Sequence, residues 1–144
     1  MNKTDIKEII QIILSHLDNQ KFTWRLEGSA NLLIQGIETS VNDLDITTDE
    51  EGIKIFRNQL KEYIEKDFFS EKINGPSIIC NINSFEIEIN CYGDRKINYF
   101  DKIQEMTWEN LDIPILPLKW AREFYKQIDR KEKVELIDKH LNIS

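Results

Sequence analysis

Asp43 and Asp45 stand two residues apart in Asp43-Leu44-Asp45-Ile46-Thr47, a segment whose alternation of polar and apolar residues reads as a strand. Side chains two apart on a strand leave the same face. Both carboxylates therefore share one face, while Leu44 and Ile46 turn to the other. Like charges this close repel, and a hard divalent cation supplies a reason to keep them together. Mg²⁺ (or Mn²⁺) takes oxygen ligands and is commonly held by one or two carboxylates plus substrate phosphates. A second acidic pair, Glu86 and Glu88, sits on one face of Phe85-Glu86-Ile87-Glu88-Ile89-Asn90-Cys91, with Phe85, Ile87, Ile89 and Cys91 opposite. If that strand lies beside the first, three or four carboxylates converge. That is enough for metal-assisted phosphoryl transfer, in which a carboxylate beside the attacking hydroxyl takes its proton. Glu88 and Glu86 compete for the place of the third acid.

Gly28-Ser29 is the third element of the pattern. It falls between a strand and a helix, where backbone N–H groups and the helix dipole face an anion. Glycine permits close backbone approach, and Ser29 adds a hydroxyl. Each part has a plainer reading when taken singly: a solvated strand end for Asp-x-Asp, an ordinary turn for Gly-Ser, the wet face of an edge hairpin for Glu86 and Glu88. Their order along the chain carries the weight.

The elements that must position these residues are legible in outline. Asp5 caps a first helix with Glu8 as its capping-box partner, and Ile6, Ile9, Ile10, Ile13, Leu14 and Leu17 recur at helical spacing. Phe22 to Leu26 alternates as a strand, and Ala30 to Gln35 reads as a short helix closed by Gly36. Asp43 to Thr47 is the next strand. Asp49-Glu50-Glu51 opens a helix that the spacing of Ile53, Phe56, Leu60 and Ile64 carries to about Glu65. Ser77 to Ile82 and Phe85 to Cys91 flank an Asn83-Ser84 turn as a hairpin. Asp112 to Leu116 is extended, Pro117 opens a helix to Ile128, and a last helix covers Arg130 to Leu141. The expected fold is α+β, a mixed sheet of about four to six strands flanked by helices. Residues 1–144 read as one domain, with a core over 22–116 and a C-terminal helical part over 117–144.

Nineteen basic against 26 acidic residues leave a net charge of −7. That argues against a general nucleic-acid binder, which needs a basic surface, but leaves a mononucleotide open. Cys80 and Cys91 form no CxxC pair and read as buried, reduced thiols. No stretch is apolar enough to span a bilayer and the N-terminus has no signal-peptide pattern, so a cytoplasmic location is expected.

At Gly28-Ser29, Asp43-Leu44-Asp45 and, by position, Glu88, the chain resembles the DNA polymerase beta-like nucleotidyltransferase superfamily. The stretch from Leu26 to Asp49 is similar to small, stand-alone prokaryotic members, as is the tail from Leu116-Pro117-Leu118-Lys119-Trp120 to Arg130-Lys131-Glu132-Lys133. Lincosamide nucleotidyltransferases are similar in size and layout. Two features depart from the pattern: thirteen residues separate Ser29 from Asp43, and the third acid is a glutamate. The resemblance implies the nucleotidyltransferase fold and Mg²⁺-dependent transfer of a nucleoside monophosphate from an NTP to an acceptor hydroxyl on a small molecule or protein. It implies Asp43, Asp45 and Glu88 as metal ligands and catalytic residues, and Gly28 and Ser29 as nucleotide-binding residues. Lys119 and Arg122 join the latter if their helix face meets the triphosphate; with Lys126 they otherwise form a solvated basic face. Arg130, Lys131 and Lys133, interleaved with acids, read as solvated. A homodimer would complete a shallow acceptor pocket. The competing expectation is a catalytically inactive nucleotide- or partner-binding module of the same fold, of toxin–antitoxin type. A third is that the acids are only a wet sheet face.

Overall fold

A computed structural model describes residues 1–142; positions 143 and 144, the end of the expected C-terminal part, lie outside the described residues. The order of elements is α1 (Lys3–Leu17), β1 (Trp24–Glu27), α2 (Gly28–Ile34), β2 (Leu44–Thr48), α3 (Glu50–Gln59), β3 (Ile64–Ser70), β4 (Gly75–Ile82), β5 (Phe85–Asn90), β6 (Gln104–Trp108), β7 (Leu111–Ile115), α4 (Leu118–Gln127) and α5 (Lys131–Leu141). The fold is α+β, as the sequence indicates, but the sheet has seven strands, in the order β3-β4-β5-β2-β1-β7-β6. The two unexpected strands, β3 and β6, are its edges. Both are largely exposed, so neither carries the strict apolar alternation that burial imposes on a strand. The helix after Asp49 stops at Gln59, and Ile64 begins β3 instead of ending that helix. The first helix is capped by Asn2, whose side chain accepts from Asp5 N while Asp5 accepts from Asn2 N. The capping box thus lies three residues earlier than the Asp5–Glu8 pair suggested.

The central pairings are of two kinds. β1 and β2 run antiparallel, with Leu26 opposite Ile46 and Glu27 opposite Asp45. β2 and β5 run parallel, with Leu44 opposite Ile87 and Asp45 opposite Glu88. β4 and β5 form the expected hairpin around Asn83-Ser84, both at positive φ as a tight hairpin turn needs. One sheet face is apolar: Leu26, Leu44, Ile46, Ile87 and Ile89 pack with Ile6, Ile9, Ile13, Ile53 and Phe56 of α1 and α3. A second core joins Leu32, Ile37 and Leu116 to Ala121, Phe124 and Tyr125 of α4 and Ile137 of α5. Among the described residues, no helix is long and apolar enough to cross a membrane.

Candidate functional site

Cross-strand partners share a sheet face. The register therefore sets Glu27, Asp45 and Glu88 side by side across β1, β2 and β5, opposite the apolar core. Asp43 lies in the bend just before β2, near enough for its charge to act on Asp45. Glu88, not Glu86, is the acid beside Asp45; Glu86 is exposed and pairs with Asn81 on the outer hairpin strand. Burial, then the charges of Asp43, Glu88 and Glu27, together raise the Asp45 carboxyl to about 7, with Lys133 acting against them.

Gly28 follows Glu27 and turns the chain from β1 into α2. Its φ is +72°, a backbone shape that a side chain resists. A Cβ here would lie 2.4 Å from Asp45 Oδ2 and 3.2 Å from Asp45 Cβ. The glycine is thus required twice, by its backbone and by the carboxylate resting against it. α2 has only seven residues, and its first N–H, that of Gly28, already donates to Glu27 Oε1 at 3.3 Å.

Glu27 is 4% exposed, and both its oxygens are engaged. Oε2 accepts from Arg25 Nε at 2.7 Å, and Oε1 from Gly28 N. Arg25 is wholly buried. It also donates to the Asn98 carbonyl and lies over the Phe100 and Phe124 rings, 5.8 and 5.3 Å from their centroids. Arg25 therefore faces the site's side of the sheet, in a buried ion pair and not a surface bridge. Glu88 Oε1 accepts from Asn90 Nδ2 at 3.1 Å, and Asn90 Oδ1 accepts from Ser77 Oγ at 2.6 Å.

The cation of the cluster is Lys133, from α5, whose Nζ donates to Ser29 Oγ. Burial, then Arg130, lowers its pKa, while Glu132, Asp45 and Asp43 raise it. The sequence reading placed Lys133 on a solvated face, and only the docking of α5 reveals otherwise. Lys119 and Arg122, by contrast, are not brought to the cluster. Arg122 binds Asp138 through Nε and, at 3.2 Å, through Nη2. Lys119 is exposed, with Nζ 5.0 Å from the Trp120 ring centroid. Among the described residues no ion pair or hydrogen bond joins either to the carboxylate row. The helix-face pattern of α4 thus serves its contact with α5. Glu27, Asn90 and Ser77 were also missed; only the β1–β2 and β4–β5 registers single them out. Tyr125, at 3% exposure, has no hydrogen-bond partner for its hydroxyl among the described residues, and burial and then Glu27 and Asp45 raise its pKa.

Among the described residues, no three carboxylate, His or Cys side chains stand close enough to enclose an ion by themselves. The expected three-ligand set of Asp43, Asp45 and Glu88 is therefore not closed as it stands. The donor chemistry still suits Mg²⁺ or Mn²⁺. All donors are hard oxygens, and Asp45 is crowded by three like charges that a cation would offset. Such an ion would sit on one or two carboxylates, with phosphate and water completing its shell.

No family model matches the chain, and no curated protein matches its sequence. Solved structures do match. A Thermotoga maritima protein provisionally assigned as a nucleotidyltransferase superposes with a TM-score of 0.77 at 24% identity, over 100% of this chain and 97% of that one. The antibiotic-resistance factor ANT(2'')-Ia gives 0.69 at 11% identity, over 98% and 86%. The lincosamide antibiotic adenylyltransferase LnuA, solved with lincomycin bound, gives 0.63 at 12% identity, over 100% and 99%. The Gly28 turn, the Asp43–Asp45 strand and the full length of the chain thus lie within one shared architecture: this protein is a small member of the nucleotidyltransferase fold.

Proposed function

We propose that the protein is a metal-dependent nucleotidyltransferase that moves a nucleoside monophosphate from an NTP to a hydroxyl of a small molecule. The observation that carries this reading is the position of Asp45: in register with Glu88, next to Asp43, and pressed against Gly28 beside Ser29 and Lys133. Asp43 and Asp45 would hold Mg²⁺, or Mn²⁺, together with a substrate phosphate. When bound, the ion withdraws charge from the reacting phosphate and offsets the charge that develops on it. Ser29 and Lys133 hold phosphate oxygens, the ammonium exchanging its serine partner for an anion. The acceptor oxygen bonds to the α-phosphorus, its proton passes to Glu88, and the bond to pyrophosphate breaks. A hollow of about 360 Å³ bordered by Tyr125 of α4, Arg130 between the helices and Val134 of α5 offers room for the nucleoside. Support for a small-molecule acceptor comes from two neighbours in the fold: ANT(2'')-Ia, also solved with adenylyl-2''-tobramycin, and LnuA.

Titration calorimetry of NTP with Mg²⁺ tests the site. Asp43→Ala/Asp45→Ala is expected to lose the metal-dependent heat, and equal binding by wild type and variant would overturn the proposal. The open ligand set supports a second reading, a nucleotide-binding module without catalysis. Labelled NTPs incubated with the protein and a panel of hydroxylated small molecules separate the two. Label transfer that requires Asp45 supports the enzyme; metal-dependent NTP binding with no transfer to any acceptor, with Mg²⁺ or Mn²⁺, supports the module.

A further inference from the structure

Glu88 is held by a chain of side chains that leads away from the site. Ser77 of β4 and Asn90 of β5 are direct cross-strand partners, 1% and 7% exposed. Asn90 stands two residues after Glu88, on the same face, and opposite Thr47 of β2. The direction of every bond in this chain is dictated from its end. A carboxylate can only accept, so the Asn90 amide must present Nδ2 to Glu88 Oε1. Its oxygen is then turned to Ser77, whose hydroxyl must donate. Turning the amide over would set its oxygen against the Glu88 carboxylate, two acceptors with no donor between them, so the carboxylate selects this orientation.

We infer that Asn90, oriented by Ser77, is a positioning residue that fixes the Glu88 carboxylate toward Asp45 and so raises the site's affinity for a divalent cation. The inference rests on the metal-site reading above. The arrangement has the logic of outer partners at metal sites, which orient a ligating or neighbouring carboxylate and whose loss typically weakens metal affinity about 10–100-fold. Glu27 gains the corresponding support from Arg25 and Gly28 N, but both its oxygens are consumed. For Glu88, the one side-chain hydrogen bond among the described residues engages Oε1, which leaves Oε2 for the site.

The test is a double-mutant cycle on Mn²⁺ affinity, read by electron paramagnetic resonance of free Mn²⁺ with the full chain. Asn90→Leu in the wild-type background is expected to weaken Mn²⁺ about 10-fold. The same change in a Glu88→Gln background is expected to do nothing further, because the group it positions is already gone. A merely structural role would weaken binding equally in both backgrounds, and that result overturns the inference, as does no loss in either. Should Asn90→Leu fail to fold, Ser77→Ala replaces it: a smaller loss that vanishes in Glu88→Gln supports positioning, and an unchanged or background-independent affinity overturns it. Mn²⁺ binding that survives Asp45→Asn sinks the metal site and this inference together. Binding lost in Asp45→Asn but indifferent to Asn90 and Ser77 sinks the inference alone.

Discussion

Gly28→Ala puts the geometry of the site to a direct test, because one methyl group is asked to occupy space that Asp45 already holds. Two costs are separable. The left-handed backbone, φ +72°, costs about 1–2 kcal/mol for a residue with a Cβ. For a domain of this size that lowers Tm by roughly 2–8 °C. The second cost falls on the site. The new Cβ would lie 2.4 Å from Asp45 Oδ2, so the carboxylate must retreat by roughly 1 Å to reach ordinary contact distance. Metal–ligand distances tolerate only about 0.2 Å, so a shift of that size removes Asp45 from any productive coordination.

Gly36→Ala provides the control. Gly36 also has positive φ, +102°, but a Cβ there would meet only the His140 ring, Cε1 at 3.5 Å and Nε2 at 3.8 Å, both ordinary contacts. It bears the backbone cost without touching Asp45. Thermal unfolding and Mn²⁺ titration are the assays. Both variants are expected to lose several degrees of Tm, and only Gly28→Ala is expected to lose metal affinity, by about 10-fold or more. Equal Mn²⁺ affinity in the two variants would refute the contact between Gly28 and Asp45 as the reason for this glycine.

Asp45 carries a pH signature in the metal-free protein. Its folded pKa, about 7, lies above the unfolded value near 3.8, so the fold is favoured below both and loses up to about 4 kcal/mol as pH rises through that window. In EDTA, Asp45→Asn is expected to flatten this decline and unfold later than wild type at pH 8; parallel stability curves from pH 4 to 8 would contradict the crowding. Arg25→Met strands a buried Glu27 and is expected to cost about 3–5 kcal/mol in urea unfolding, with Arg25→Met/Glu27→Gln recovering part of it; a loss under about 1 kcal/mol for the single variant would show that Glu27 does not depend on Arg25. Lys133→Ala is expected to weaken NTP binding about 10–100-fold in calorimetry, the worth of one charge-assisted hydrogen bond, with Tm nearly unchanged; undiminished affinity would place the phosphates elsewhere. Arg122→Gln is expected to do the reverse, lowering Tm through loss of Asp138 while NTP affinity holds; a drop in affinity would return Arg122 to the site.

What could be read from the chain was what is local. Asp43 and Asp45 are neighbours because of their two-residue spacing, and Gly28-Ser29 is a turn because of its residues; neither needs a distant partner to be recognised. Glu88 against Glu86 could not be decided locally, since both leave the same face of β5 and the choice rests on a parallel register with β2 more than forty residues away. Lys133 is further still, 104 residues from the serine it reaches, and its helical repeat says nothing about which side of α5 docks. Arg122 illustrates the converse. Its spacing with Lys119 and Lys126 describes a stripe, but Asp138 on the neighbouring helix decides what that stripe meets. The edge strands β3 and β6 escaped because exposure removes the alternation by which strands are recognised.

The plainest alternative, a wet sheet face, meets its difficulty in the residues around the acids more than in the acids themselves. A solvated face screens its charges and has no need to bury Arg25 completely, Glu27 to 4% exposure or Asn90 to 7%. A buried ion pair is weak grounds for stability, because desolvation offsets most of the attraction. Arg25–Glu27 therefore calls for some other return, and its geometry supplies one: Glu27 holds the first N–H of the turn at Gly28, and Gly28 is the backbone against which Asp45 rests. On the other flank, Ser77 and Asn90 are buried to hold Glu88. Both flanking acids are thus restrained by buried partners, while among the described residues no hydrogen bond or ion pair restrains Asp43 or Asp45. A row with fixed ends, and a middle where Lys133 opposes only part of the crowding on Asp45, is an arrangement that a solvated face would not require.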